Sequence, residues 1–87
     1  MPNIESAKKR VRQNTRRRAH NRMRRSTLRT SIRRLREAIE AGDSAAVQAQ
    51  WLETQGLIDR TARLGVIHPN AAARTKSRLA RRIQQLS

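Results

Sequence analysis

The stretch LRTSIRRLREAIEAGD, Leu28 to Asp43, decides the fold. At about 100° per residue, Leu28, Ile32, Leu35 and Ile39 fall within one sector roughly 60° wide. Such spacing predicts an α-helix with one stripe to bury. Gly42 suits the left-handed position just past a helix C-terminus, and Asp43 can accept amide hydrogen bonds as the next N-cap. The stretch therefore reads as a helix end, a tight turn and a helix start, and the stripe needs partner helices to cover it.

Downstream the punctuation recurs. Gly65 repeats the stop, and Pro69 fits the first position of a helix, where its missing N–H costs nothing, so that His68 falls at the cap. Only two Pro and three Gly occur in 87 residues, and no alternating run of β-branched and aromatic residues competes as a strand. The spacing predicts helices at 4–41, 44–64 and 69–86, forming one all-α domain over 1–87. The second helix sets Val47, Trp51 and Ile58 on one side and Ala46, Leu57 and Leu64 on a neighbouring side, as expected of a helix touching two partners. The third gathers Ala72, Leu79, Ile83 and Leu86 on one narrow face. Three stripes joined by short turns predict an antiparallel three-helix bundle.

Upstream of Leu28 the first helix changes character. From Ala7 to Arg25 its apolar residues are sparse, chiefly Val11 and Met23. Its basic groups from Lys8 to Arg25, including Arg12, Arg16, Arg18 and Arg24, surround the axis with no gap wider than about 60°. A first helix of this length reaches ~55 Å and its partners only ~30 Å, so some 25 Å should overhang the bundle. The overhang is the charged part.

Composition narrows the function. Lys and Arg number 21 against 6 Asp and Glu, a net charge of +15. Residues 1–40 hold fourteen of the basic groups, residues 41–65 are nearly neutral, and residues 66–87 hold five with no acid. A chain this basic calls for a polyanion, with nucleic acid the default. Trp51 is the one aromatic in a hydrophobic fraction of 36%, so the core is small and a buried catalytic pocket is not expected. Without cysteine there is no disulfide framework, thiolate metal site or thiol nucleophile. No apolar run has the length of a signal peptide or a membrane span, and the chain reads as cytoplasmic.

The polyanion can be narrowed further. A helix lying on a membrane needs an apolar side beneath its basic side, and the Ala7–Arg25 segment has none. A DNA regulator would carry a recognition helix, usually in a symmetric dimer, yet neither helix-turn-helix spacing nor a heptad seam is present; no homo-oligomer is expected. Charge on all sides fits an arm threaded between phosphate backbones, and self-repulsion should fray it without its ligand. All but Lys8, Lys9 and Lys76 of the basic residues are Arg, which favours bidentate phosphate contacts and stacking. Arg74, Arg78 and Arg81 lie opposite the apolar stripe of the third helix and give it a second basic face. Polar Asn14, Thr15, Asn21, Ser26 and Thr30 are interleaved with the arginines of the first.

Trp51, at helical spacing from Val47 and Ile58, reads as core and not as a base-stacking platform. His20 lies inside the basic run and His68 at a cap, with no shared carboxylate, so neither a metal nor an acid–base site is expected. Asp59, next to Arg60, reads as half of a surface ion pair. No enzyme and no cofactor are implied.

Four blocks carry a resemblance: Pro2-Asn3-Ile4-Glu5-Ser6-Ala7-Lys8-Lys9-Arg10; His20-Asn21 with Arg25-Ser26 and Arg29-Thr30; Ala38-Ile39-Glu40-Ala41-Gly42-Asp43; and Gly65-Val66-Ile67-His68-Pro69-Asn70-Ala71-Ala72-Ala73-Arg74-Thr75-Lys76-Ser77-Arg78-Leu79. In this order, and over essentially the whole chain, they resemble the bacterial small-subunit ribosomal protein twenty family. The resemblance implies a three-helix bundle with a long first helix that binds small-subunit ribosomal RNA directly, helps it fold during assembly, and resides on the small ribosomal subunit without catalysis. It implies RNA contacts at Asn3, Ser6, Lys8, Lys9, Arg10, Arg17, His20, Asn21, Arg25, Arg29, Arg74, Lys76 and Ser77. Pro69 and Ala71 depart from the lysines expected of the family, and arginine replaces lysine through much of the first helix.

Overall fold

The computed structural model describes residues 4–86. It is all-α, with α1 (Ile4–Ala41), α2 (Ser44–Arg63) and α3 (Pro69–Gln84) and no strand among the described residues. The turns are built as the punctuation predicts. Gly42 has φ +71° and Gly65 φ +76°, a region that side chains with a Cβ rarely adopt. A Cβ at either would meet nothing within 4 Å, so glycine is needed there for backbone conformation and not for space. The Gly42 N–H donates to the Ile39 carbonyl at 3.1 Å, and the Asp43 carboxylate accepts the Ala46 N–H at 3.2 Å. At the second turn His68 Nδ1 accepts the Asn70 N–H at 3.0 Å, with Pro69 opening α3.

Two helix ends fall short of expectation. α2 stops at Arg63 because Leu64 caps it, the Leu64 N–H donating to the Arg60 carbonyl and the Gly65 N–H to the Ala62 carbonyl, each at 3.0 Å. α3 stops at Gln84, Gln85 being its cap. Leu86 therefore leaves the apolar face of α3 and is exposed.

α2 is the shared element, packing on α1 along one side and on α3 along another. Leu35 and Ile58 are fully covered at the centre, joined by Leu28, Ile39, Val47, Ala72 and Leu79, while Ile32, Trp51 and Ile83 pack half-buried against them. The stripe of α1 thus lies where its spacing puts it. The neighbouring side expected on α2 does not: Ala46 and Leu64 are exposed and only Leu57 is half-buried. Thr54 and Thr61 are buried in its place. With Val47, Gln50, Trp51 and Ile58 they occupy one sector of about 100° around α2. The covered face of α2 is part hydroxyl, and a count of apolar residues misses that part.

Those hydroxyls are satisfied. Ser31 Oγ and Thr54 Oγ1 share a hydrogen bond of 2.8 Å across the α1–α2 seam, and Gln50 Nε2 donates to Ser31 Oγ at 3.1 Å. Thr61 Oγ1 donates to the Leu57 carbonyl within α2. No buried side-chain polar atom among the described residues lacks a partner, as burial of hydroxyls requires.

α1 runs unbroken for 38 residues, about 57 Å at 1.5 Å per residue. Its N-terminal half is regular α-helix. Arg, Ala, Gln and Met, all strong helix formers, dominate it, and neither Gly nor Pro interrupts Ile4–Ala41. The molecule spans 65 × 21 × 14 Å: a short bundle with a rod projecting from one end.

Candidate nucleic-acid interface

The rod is the part of α1 that no partner covers. Every residue from Ile4 to His20 is exposed, Asn21 is half-buried, and full burial begins only at Leu28. Exposure follows from length, since a helix of 20 residues reaches about 30 Å and cannot flank one of nearly twice that length. Even the apolar side chains of this half, Ile4 and Val11, which share one hollow with Ala7 near the tip, and Met23 further along, remain in solvent at 62–73% exposure.

Among the predicted residues Ser6, Lys8, Lys9, Arg10, Arg12, Arg16, Arg17, Arg18 and His20 all stand on the exposed rod, followed by Asn21, Arg24, Arg25 and Arg29. Asn3 lies outside the described residues. None of the rod's cations has an acidic partner within salt-bridge distance among the described residues. Lys8, Arg12 and Arg16 follow one another at i, i+4 spacing, as do Arg18 and Arg22, and each such like-charge pair disfavours an isolated helix by about 0.2–0.5 kcal/mol. A line of phosphates reverses the sign of that effect. Of the interleaved polar groups, Thr15 is already committed, its hydroxyl donating to the Val11 carbonyl at 2.9 Å.

Toward the bundle one row stands out, with Arg34 on a different face. Arg18, Arg22, Arg25, Arg29, Arg33 and Arg36 recur every three or four residues and occupy a sector roughly 80° wide over about 27 Å of helix. Two adjoining hollows open along it. One, of about 340 Å³, is polar, formed by Arg18, Asn21, Arg22, Arg25, Ser26 and Arg29. The other, of about 570 Å³, shares Arg25 and Arg29 and adds Arg33, Arg36, Leu28, Ile32 and Ile67 of the α2–α3 turn. Arg22, Arg33 and Arg36 are absent from the residues singled out in the sequence. Their i, i+3, i+4 register with Arg25 and Arg29 is the signal that finds them.

α3 presents Arg74, Ser77, Arg78 and Arg81 to solvent, opposite buried Ala72 and Leu79. Lys76 is different. Its Nζ lies 2.9 Å from Asp59 Oδ1, tying α3 to α2. The partner of Asp59 is thus Lys76 across the helix interface and not its neighbour Arg60. The expected contact at Lys76 would have to compete with this pair.

Among the described residues no group of three His, Cys, Asp or Glu stands together as a metal site, and no helix is long and apolar enough to cross a membrane. His20 stands exposed on the rod, and His68 is occupied as a cap.

Comparison with known proteins bears on the whole chain. A family model described as Ribosomal protein S20 matches residues 2–84. The chain is 52% identical over 87 residues to the small ribosomal subunit protein bS20 of Pseudoalteromonas atlantica, with all of both chains covered. It is 48% identical to the protein of that name from Dechloromonas aromatica, covering all of this chain and 98% of the relative. It is also 48% identical to the one from Actinobacillus pleuropneumoniae, with all of both chains covered.

Proposed function

The chain belongs to the ribosomal protein S20 family, and on that premise we propose that it is a structural, non-catalytic component of the small ribosomal subunit that binds small-subunit ribosomal RNA directly. The single observation that carries RNA binding is the uncovered rod, which bears ten basic residues between Lys8 and Arg25 and is too long for its own bundle to use. Inserted between RNA helices, it neutralises backbones on several sides at once and releases their counterions. Its guanidiniums can grip phosphate oxygens in pairs. That lowers the repulsion between RNA segments that must pack together, which is how such a rod would assist subunit assembly.

The bundle anchors the rod and contributes a second contact surface. Ser6, Lys8, Lys9, Arg10, Arg12, Arg16, Arg17, Arg18, His20, Asn21, Arg24, Arg25 and Arg29 serve as the principal phosphate and sugar contacts, and Arg74, Ser77 and Arg78 hold a further strand from α3. Asn3 and Lys76 belong to the same set through the family resemblance; because Lys76 is already paired with Asp59 at 2.9 Å, it contributes least of the set to affinity. Ribosome-bound, the protein resides in the cytoplasm.

The test is binding of the purified protein to folded small-subunit ribosomal RNA and to unrelated duplex DNA at the same salt. Saturable binding that favours the RNA is the expected result, and equal affinity for both would contradict the proposal.

A further inference from the structure

The two hollows beside the arginine row are chemically unlike. The one on the rod is lined by Arg, Asn and Ser side chains alone, which suits a phosphate backbone. The one against the bundle is floored by Leu28, Ile32 and Ile67 beneath Arg25, Arg29, Arg33 and Arg36. A phosphate gains nothing from an apolar floor, whereas an apolar body laid on it releases water favourably. The matching ligand has a flat apolar part with negative charge on either side of it, and its site of about 570 Å³ falls in the range of roughly 300–1,000 Å³ usual for small-ligand pockets.

We propose that this hollow receives one unpaired base of the bound RNA, laid on Ile32 and Ile67, with its flanking phosphates held by Arg25 and Arg29 on one side and by Arg33 and Arg36 on the other. The inference rests on the RNA-binding reading above and assigns part of the surface to a single-stranded position. Three features favour it. The row of arginines continues without a break from the rod into the hollow, so a strand followed along the rod arrives there. The only acid engaged with these four arginines among the described residues is Glu37, whose Oε1 is 3.9 Å from Arg33 Nε in an exposed pair, a loose contact that a phosphate can replace. Guanidinium planes also stack on bases, so the rim can close over the ring that the floor supports. An anionic lipid would match the charge, but its long chain needs more apolar surface than three residues bounded by arginines provide.

The experiment uses the full-length protein and two RNA hairpins that differ only in one unpaired 2-aminopurine. The hairpin with the unpaired base is expected to bind about tenfold more tightly than the fully paired one, with a change in 2-aminopurine emission. Ile32→Ala with Ile67→Ala should remove both the preference and the emission change, whereas Arg18→Gln with Arg22→Gln should weaken the two hairpins equally. Equal affinity of the unaltered protein for the two hairpins, with no emission change, overturns the base site and leaves RNA binding standing. Failure to bind either hairpin at low salt overturns RNA binding as well. Stronger binding to phosphatidylglycerol vesicles than to either hairpin, lost with Ile32→Ala and Ile67→Ala, assigns the hollow to lipid and overturns the base site. Because the emission measurement needs no variant, it decides the matter even if the double variant fails to fold.

Discussion

Ser31 of α1 and Thr54 of α2 face each other at 2.8 Å between their hydroxyl oxygens, buried in the helix seam, with the Gln50 amide donating to Ser31 at 3.1 Å. A polar contact at that depth fixes the register of α1 against α2, because sliding either helix by one residue would bury hydroxyls without partners. Register matters to function here, since it sets how much of α1 emerges as the rod.

Ser31→Ala should therefore destabilise the bundle by about 1 kcal/mol, because it removes the shortest hydrogen bond and leaves Thr54 Oγ1 with the longer contacts to the Ser31 carbonyl at 3.5 Å and Gln50 Nε2 at 3.4 Å. Ser31→Ala combined with Thr54→Val should cost less than the sum of the two single changes. Urea unfolding followed by far-ultraviolet circular dichroism measures both. Strict additivity would show that the two hydroxyls do not depend on one another.

Leu35 is fully covered and centred among residues from all three helices. Leu35→Ala should cost about 2–5 kcal/mol, toward the lower end if the small core collapses around the gap. Thermal melting at neutral pH measures the change. Retention of the wild-type Tm would mean that the stripe does not hold the bundle.

Gly42→Ala isolates a backbone effect, because the added Cβ has open space while φ stays at +71°. The expected destabilisation is about 1 kcal/mol, read from the same thermal melts. A neutral result would place the turn in another conformation in solution.

Lys76 and Arg78 should separate stability from binding. The Lys76 charge is already paired with Asp59 at 2.9 Å, and both side chains remain partly in solvent. Lys76→Gln is thus expected to cost no more than about 1 kcal/mol of stability at low salt and to change RNA affinity little. Arg78, exposed on α3 with no acidic partner among the described residues, should behave in the opposite way: Arg78→Gln weakens binding without a change in melting. Calorimetric melting and filter binding on the two variants give the comparison, and the reverse pattern would make Lys76, and not Arg78, a principal RNA contact.

Much of this was legible in the residues themselves. Local chemistry fixed the turns at Gly42-Asp43 and at Gly65 to Pro69, because capping and positive φ are demands on single residues. The stripe from Leu28 to Ile39 and the overhang of the rod followed from period and length alone. Thr54 and Thr61 were missed because their burial depends on partners, one of them 23 residues away in sequence. The pairing of Lys76 with Asp59 is likewise a product of how α3 lies on α2. Ile67, which floors the hollow beside Ile32, reads as an ordinary turn residue until the turn is folded back over α1. Arg33 and Arg36 were visible as charge but not as a row, since a sum of charge over each segment averages over the helix faces that separate them.

The measurement that bears most directly on the rod is the salt dependence of binding to folded small-subunit ribosomal RNA with and without Arg16→Gln, Arg17→Gln and Arg18→Gln. All three side chains are exposed, so the melting temperature should not change. Affinity should fall, and the slope of log affinity against log salt should flatten by roughly one unit for each phosphate no longer neutralised. Unchanged affinity and slope would show that the rod is a solvated extension and not the RNA-binding element.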